Sequence, residues 1–284
     1  MAEGSPAVTV VIPFFKARPY VLTAVRSVLR QTFSDLRVVV ISDGDPEVPA
    51  DRLRRLDPQR VLVFELPENR GTYFVREVGR RASRSPWFAM LDADDIVERT
   101  WLERSLECAE RTGVAFVDQR RFLNYGPFRR TLDLRPVDLT VAGHCPAHYF
   151  ASLNALVAME RLEAMGGFDG SFRVGFDKIA VNLIALTGPV GAVHEPLYLV
   201  RRGDRLRGFR SLTTDPATGK RSDFRKASNL RRDAIYARAH PEFLRDPEAG
   251  RALLLDERDP EIEREIAHHS ADLRRMLDGR ATDG

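Results

Sequence analysis

Two cysteines in 284 residues, Cys108 and Cys145, are too few for a disulfide framework. That excludes the small cross-linked secreted class and makes a reducing cytoplasm the expected compartment. No apolar run reaches the roughly 20 residues that a membrane-spanning helix needs. Residues 1–7 lack the basic-then-apolar pattern of a signal peptide, so at most peripheral membrane contact is expected. Only four lysines occur, Lys16, Lys178, Lys220 and Lys226, so nearly all positive charge is arginine, which suits bidentate contact with phosphate. A net charge of +3 is small for this length and does not argue for nucleic acid. Glycine is missing where a dinucleotide-binding fold needs it. The first apolar run leads into Phe14-Phe15-Lys16-Ala17-Arg18, and the chain holds neither Gly-x-Gly-x-x-Gly nor Gly-Lys-Ser/Thr. Nicotinamide, flavin and P-loop readings lose their main support.

What is present is an ordinary globular composition, 43% hydrophobic and 30% charged, with enough apolar content for a core. Short β-branched runs alternate with amphipathic stretches. Strands are expected at 8–13, 36–42, 61–66 and 87–92, and helices at 18–30, 48–56, 71–81 and 98–111. That alternation implies a parallel sheet with right-handed crossovers. The second half is less regular. It offers strands at 114–119, 154–159, 190–193 and 197–200, helices at 160–165 and 177–186, a sharp turn at 166–170, and a loop-like 120–146 with a short strand near 131–134. From residue 222 onward the chain is strongly charged and helix-forming, broken at Pro241 and Pro260, and reads as a helical appendage.

The feature that invites chemistry is Phe88-Ala89-Met90-Leu91-Asp92-Ala93-Asp94-Asp95. A buried strand that ends in three carboxylates delivers negative charge to the carboxyl edge of a sheet, where open α/β folds place ligands. Crowded carboxylates call for a cation, and Mg²⁺ or Mn²⁺ shared with substrate phosphates is the natural one. The competing reading is a solvated acidic turn that caps the next helix. Asp43-Gly44-Asp45 fits the same Asp-x-Asp spacing, so the pattern alone is weak. Asp43 itself reads equally as an Asx-turn residue.

Taken together, Val-Ile-Pro13-Phe14-Phe15, Ser27-Val-Leu-Arg-Gln31-Thr-Phe, Ser42-Asp43-Gly44, Asn69-Arg70-Gly71, Leu91-Asp92-Ala93-Asp94-Asp95 and Gly166-Gly167-Phe168-Asp169 resemble glycosyltransferase family 2. The resemblance covers roughly residues 8–205. It implies the GT-A fold, a Rossmann-like, mostly parallel sheet flanked by helices. On that reading residues 1–7 are flexible, 8–221 form the transferase domain (nucleotide half about 8–119, acceptor half about 120–221), and 222–284 are the charged C-terminal extension.

The resemblance also implies roles. Asp43 would accept a hydrogen bond from the uracil N–H, which favours uracil over cytosine. Pro13, Phe14 and Phe15 would line base and ribose, Gly71 and Arg76 would border the nucleotide, and Asp92 with Ala93 would face the nucleoside. Asp94 would hold Mn²⁺ or Mg²⁺ across both phosphates. The family draws its general base from a Glu-Asp pair, and here Phe176 replaces Glu while Asp177 keeps the base position. Asp177 reads equally as a helix N-cap. The implied activity is inverting transfer from a UDP-sugar to a bacterial glycan or small-molecule acceptor. Many relatives place a His after an Arg-rich strand. This chain has Arg201-Arg202-Gly203-Asp204, with Asp204, Arg207, Arg210 and His194 as alternatives. Residues 205–219 would form a loop over the donor.

Two other function classes compete. One is a degenerate nucleotide-sugar scaffold, supported by Phe176 and the missing His. The other is a sugar-1-phosphate nucleotidyltransferase, which wants a glycine-rich first loop. A zinc site at His144-Cys145-Pro146-Ala147-His148 is disfavoured for want of a fourth ligand. Leu253 to Leu255 are expected to pack on the main domain or on a second subunit through the C-terminal helices.

Overall fold

The computed structural model of the chain describes residues 5–125, 128–138, 153–173, 175–202 and, apart from 232–233, 236, 240, 243 and 257, residues 230–281. The 144–148 segment, Asp204, Arg207, Arg210 and the 205–219 loop therefore lie outside the described residues.

The first half is a parallel sheet. β1 (Val8–Phe14) pairs in parallel with β2 (Leu36–Ser42) and with β4 (Trp87–Met90), and β2 pairs with β3 (Val61–Glu65). Their apolar runs are continuous because both faces are covered. Alternate residues divide between two cores. Val10, Ile12, Val38 and Val40 pack with α1 (Val21–Leu29), α2 (Ala50–Arg54) and α4 (Trp101–Thr112). Val11, Val39 and Ile41 pack with α3 (Thr72–Ala82) and with α6 (Asp177–Leu186).

Beyond β4 the sheet becomes mixed. β8 (Ala155–Ala158) runs antiparallel to β4 and to β6 (Val114–Tyr125), and β6 lies parallel to β9 (Gly191–Arg201). β5 (Ile96–Val97) adds antiparallel to β9, and β7 (Phe128–Arg135) antiparallel to β6. The loop-like expectation for 120–146 is corrected over 120–125 and 128–130, which with the expected strand near 131–134 form a hairpin whose register shifts between Arg121 and Phe122. The expected strands 190–193 and 197–200 are one strand, and its register against β6 slips between Val117 and Gln119. α5 (Met159–Ala164) follows β8 directly.

The C-terminal helices α7 (Pro247–Asp256) and α8 (Pro260–Ala281) begin with proline at the first helical position, where its missing N–H costs nothing. α8 lies against α3 and sinks Ile266, Leu273 and Leu277 into the same core as Val11 and Val78. Leu254 joins that core and Leu253 packs beside it, so the apolar 253–254 pair is used within the protomer. Among the described residues no helix is long and apolar enough to cross a membrane.

Candidate active site

The carboxyl ends of β1, β2 and β4 converge on one edge. At the end of β2, Asp43 is buried and its carboxylate accepts three local hydrogen bonds, two at Oδ2 and one at Oδ1. Oδ1 accepts the Arg70 N–H at 2.7 Å, while Oδ2 accepts the Gly71 N–H at 2.9 Å and Asn69 Nδ2 at 3.0 Å. Burial raises its pKa first, against the pull of the Arg70 and Gly71 N–H groups. Asp43 thus ties β2 to the start of α3 and is no Asx-turn residue. Gly71 sits there at φ +99°, with Arg173 Cα 3.2 Å from where a Cβ would project, so only glycine fits comfortably. Pro13 and Phe15 are half-buried beside this edge. The Phe14 ring is wholly in the core, leaving its backbone to offer, and its carbonyl accepts the Asp43 N–H at 2.9 Å. The second Asp-x-Asp acid, Asp45, is a turn residue that accepts the N–H groups of Lys16 (2.6 Å) and Glu47 (2.9 Å).

The three acids after β4 divide sharply. Asp95 is buried and accepts the Arg201 N–H at 2.7 Å, fastening β9 to the turn. Burial, and then Asp94 and Asp92, hold its carboxyl well above the usual range. Asp94 is half-buried, and its pKa is raised to about 6 by burial and then by Asp92, partly offset by Arg201 and Arg202. Arg201 Nε also donates to the Asp94 carbonyl at 2.7 Å, and its guanidinium stacks on Tyr20 (4.5 Å) and Phe122 (4.8 Å). The helix-cap reading of these acids is corrected: β5 intervenes, α4 starts only at Trp101, and Thr100 precedes it without a side-chain cap. Ala93 is buried in the turn.

Asp92 points elsewhere. Its Oδ1 accepts Arg76 Nη2 at 2.8 Å, and its N–H donates to the Tyr198 hydroxyl at 3.0 Å. The other arm of the same guanidinium, Nη1, donates to Asp177 Oδ1 at 3.2 Å. The Arg76 side chain is only 4% exposed, while the Asp92 and Asp177 side chains are 43% and 42% exposed. One buried cation therefore spans two acids that both reach solvent. Those two carboxylates, with Tyr73 and Tyr198, keep the Arg76 pKa raised although burial opposes it. Asp177 opens α6 without capping it: Phe176 is the N-cap residue, no side chain caps the helix, and the Asp177 N–H donates to the Tyr73 hydroxyl at 3.1 Å.

The Gly166-Gly167-Phe168-Asp169 turn is held by a residue that sequence reading missed, Glu77. Fully buried in α3, it accepts the Phe168 N–H at 2.8 Å and pairs with Arg80 and Arg81. A Cβ on Gly167 would lie 2.6 Å from Glu77 Oε2. Phe176 is buried as well, edge-on to Tyr73 at 5.5 Å and beside Phe172 at 5.3 Å. Tyr73 and Glu77 are neighbours of the site that no motif flagged, while Tyr198 and Arg201 lie in the Arg-rich strand end without their contacts having been foreseen. The only sequence signal was a charge or hydroxyl on an otherwise apolar face.

His194 is exposed and faces Asp118, with Nδ1 3.3 Å from Oδ1. Either side of the slip in β9, Val193 and Arg201 pair with Val117 and Phe122 of β6, five residues apart, so His194 lies roughly 15 Å from Arg201 along the strand at about 3.3 Å per residue. It is therefore far from Asp94. Among the described residues, the set of three potential metal-ligand side chains within 4.8 Å is His268, His269 and Asp272 on α8, not the turn acids. Asp272 there is already paired with Arg275. The donors at the turn are nonetheless hard carboxylate oxygens at an under-neutralised spot. They fit Mg²⁺ or Mn²⁺, which binds one or two carboxylates and completes its shell with phosphate and water.

The family profile described as Glycosyl transferase family 2 matches residues 9–179. A Bacillus subtilis protein described as the uncharacterized glycosyltransferase EpsJ is 29% identical over 116 residues, 39% of this chain and 33% of that one. The succinoglycan biosynthesis protein ExoO of Rhizobium meliloti is 32% identical over 108 residues, 38% of this chain and 31% of that one. The matched segment thus spans about a third of these relatives' length. The S. aureus TarS 1–349 structure in complex with UDP superposes with a TM-score of 0.59 at 14% identity, covering 69% of this chain and 60% of that one. The corresponding complex with UDP-GlcNAc gives 0.58 at 14% identity, covering 72% and 61%. At that identity the likeness is one of fold.

Proposed function

We infer the function from the premise that this chain belongs to glycosyl transferase family 2. The reading is an inverting glycosyltransferase that moves a sugar from a UDP-sugar to a hydroxyl or similar nucleophile of a glycan or small-molecule acceptor. The observation that carries it is the Arg76 bridge, which brings the strand-end acid Asp92 and the downstream acid Asp177 onto one buried guanidinium. The TarS complexes with UDP and UDP-GlcNAc support a uridine diphosphate donor.

In this mechanism Asp43 meets the uracil N–H through the Oδ1 lone pair that Arg70 leaves over, and Asp92 faces the ribose. Asp94 would hold Mn²⁺ or Mg²⁺, which would supply charge neutralisation for the diphosphate leaving group. Asp177 takes the proton of the acceptor O–H. The acceptor oxygen forms its bond to the anomeric carbon as the anomeric C–O bond to the diphosphate breaks, and UDP leaves with that electron pair. Attack opposite the leaving group turns an α-linked donor into a β-linked product. Arg76 orients both acids. Tyr73 fixes the backbone that carries the base.

Phe176 gives no support to a scaffold lacking activity, because its ring fills the core between Tyr73 and Phe172. Asp177→Asn tests the assignment. UDP binding by calorimetry is expected to stay within about threefold, while UDP release from a UDP-sugar falls at least ~10²-fold. Unchanged release would remove Asp177 from the base role.

A further inference from the structure

Among the described residues, loop 69–71 supplies the hydrogen bonds that the Asp43 carboxylate accepts, two from backbone N–H groups and one from Asn69 Nδ2, and it is itself clamped from two directions. On one side Arg173 donates Nη1 to Asn69 Oδ1 at 3.1 Å and Nη2 to the Asn69 carbonyl at 3.2 Å. On the other, the Arg70 guanidinium forms a two-pronged pair with Glu265 of α8, Nε to Oε1 at 2.8 Å and Nη2 to Oε2. Arg70 also lies over the Phe74 ring at 5.8 Å. Both members of the pair are about one-third exposed, at 33% and 28%.

Glu265 is held in place. One turn on, His269 stands with Nε2 4.0 Å from Oε1 and packs edge-on to Phe64 (6.3 Å) and Phe74 (6.2 Å). Between them Ile266 is fully buried, with Cδ1 2.7 Å from where a Cβ on Gly170 would sit. α8 is thus keyed into the body beside this loop. It lies wholly beyond residues 9–179, the part that the family profile matches.

We propose that Glu265 is a positioning residue for the donor base: through Arg70 it fixes loop 69–71, whose N–H groups aim the Asp43 carboxylate. A fork-to-fork guanidinium–carboxylate pair fixes direction as well as distance. A loop already ordered before binding spares the ligand that ordering cost. The C-terminal helix is therefore part of the donor site and sets preference for the base. This inference rests on Asp43 being the base-contacting residue.

The test uses the full chain and calorimetric titration with UDP, CDP and pyrophosphate in Mn²⁺. Glu265→Gln is expected to weaken UDP by about fivefold, to narrow the preference for UDP over CDP, and to leave pyrophosphate unchanged. The swapped pair Arg70→Glu with Glu265→Arg is expected to restore UDP binding to within about twofold of wild type. An unchanged UDP constant in Glu265→Gln, an equal weakening of pyrophosphate, or no rescue by the swap overturns the proposal. Asp43→Asn separates the two inferences. If it leaves the UDP preference intact, the reading of Asp43 fails. If it abolishes the preference while Glu265→Gln does nothing, only the brace fails.

Discussion

Replacing Arg76 by methionine separates catalysis from stability. Arg76→Met keeps the buried stem and nearly its volume, so little packing is lost. It removes two charge-assisted hydrogen bonds, each worth about 1.5–3 kcal/mol in general. Here the lower end applies, because Asp92 and Asp177 are 43% and 42% exposed and water can solvate them once released. Against that loss stands the cost of a guanidinium that is 4% exposed, several kcal/mol for burying such an ion. Its Nε has no hydrogen-bond partner among the described residues, a further ~1–3 kcal/mol that methionine relieves. The relief is at least as large as the roughly 3 kcal/mol lost, so the melting temperature should not fall. Activity should not survive so well. With the guanidinium gone, the two acids repel and the proposed base, Asp177, loses its aim, and UDP release from a UDP-sugar should fall by about 10²- to 10³-fold. Arg76→Lys should rescue only part of that, since one ammonium cannot reach both carboxylates. A release rate within threefold of wild type, or a stability loss above about 3 kcal/mol, would show that the bridge holds the fold together and does not serve the reaction.

The acid turn should show in the pH dependence of stability without metal. Asp94 is raised to about 6, against about 3.9 when unfolded. Its folded form therefore binds the proton more tightly, and stability rises as pH falls from about 6 to 4, by at most ~3 kcal/mol. Urea midpoints at both ends of that window, wild type against Asp94→Asn, isolate the term; Mn²⁺ should flatten the wild-type slope, and equal slopes in the two proteins would remove Asp94 as its source. Gly167→Ala should lower the melting temperature by about 5–10 °C, because a φ of +75° and a Cβ 2.6 Å from the buried Glu77 carboxylate together cost roughly 2–4 kcal/mol. An unshifted melting curve would mean that the turn is not locked as described.

The parallel half of the fold was legible because burial on both faces leaves unbroken apolar runs. The β4 run and the alternating split of β1 and β2 between two cores follow from that one fact. The hairpin of β6 and β7 was legible only in part, as strands at 114–119 and near 131–134, for the converse reason. Asp118-Gln119-Arg120-Arg121 carries no apolar alternation, and the segment is extended because partners at both edges saturate its backbone, β9 on one side and β7 on the other. β9 read as two strands because Glu195-Pro196 interrupts it. The interruption is real but local: Val193 pairs with Val117 and Tyr198 with Gln119, so Pro196 sits in the looped-out stretch where no ladder N–H is required.

The site was legible to the extent that each acid closes a local element. Asp43 ends β2, Asp92 and Asp94 follow β4, and Asp177 opens α6. What assigns them different chemistry is not local. Asp92 and Asp94 stand two residues apart on one turn, yet one faces a cation delivered from α3 and the other faces mainly backbone and its own neighbours. That cation comes 16 residues earlier in the chain, and it reaches Asp177 across 101 residues. Asp95 is taken out of the chemistry by an N–H from 106 residues downstream. Spacing on a turn can place three carboxylates, but only the tertiary partners can set one on a buried guanidinium, leave one under-neutralised and make one a fastener of β9. A positively charged residue on the buried face of a helix, as Arg76 is on α3, is the sequence feature that points to such a division. A guanidinium is kept out of water only where acids meet it, and in this protein those acids come from two different elements of the sheet edge.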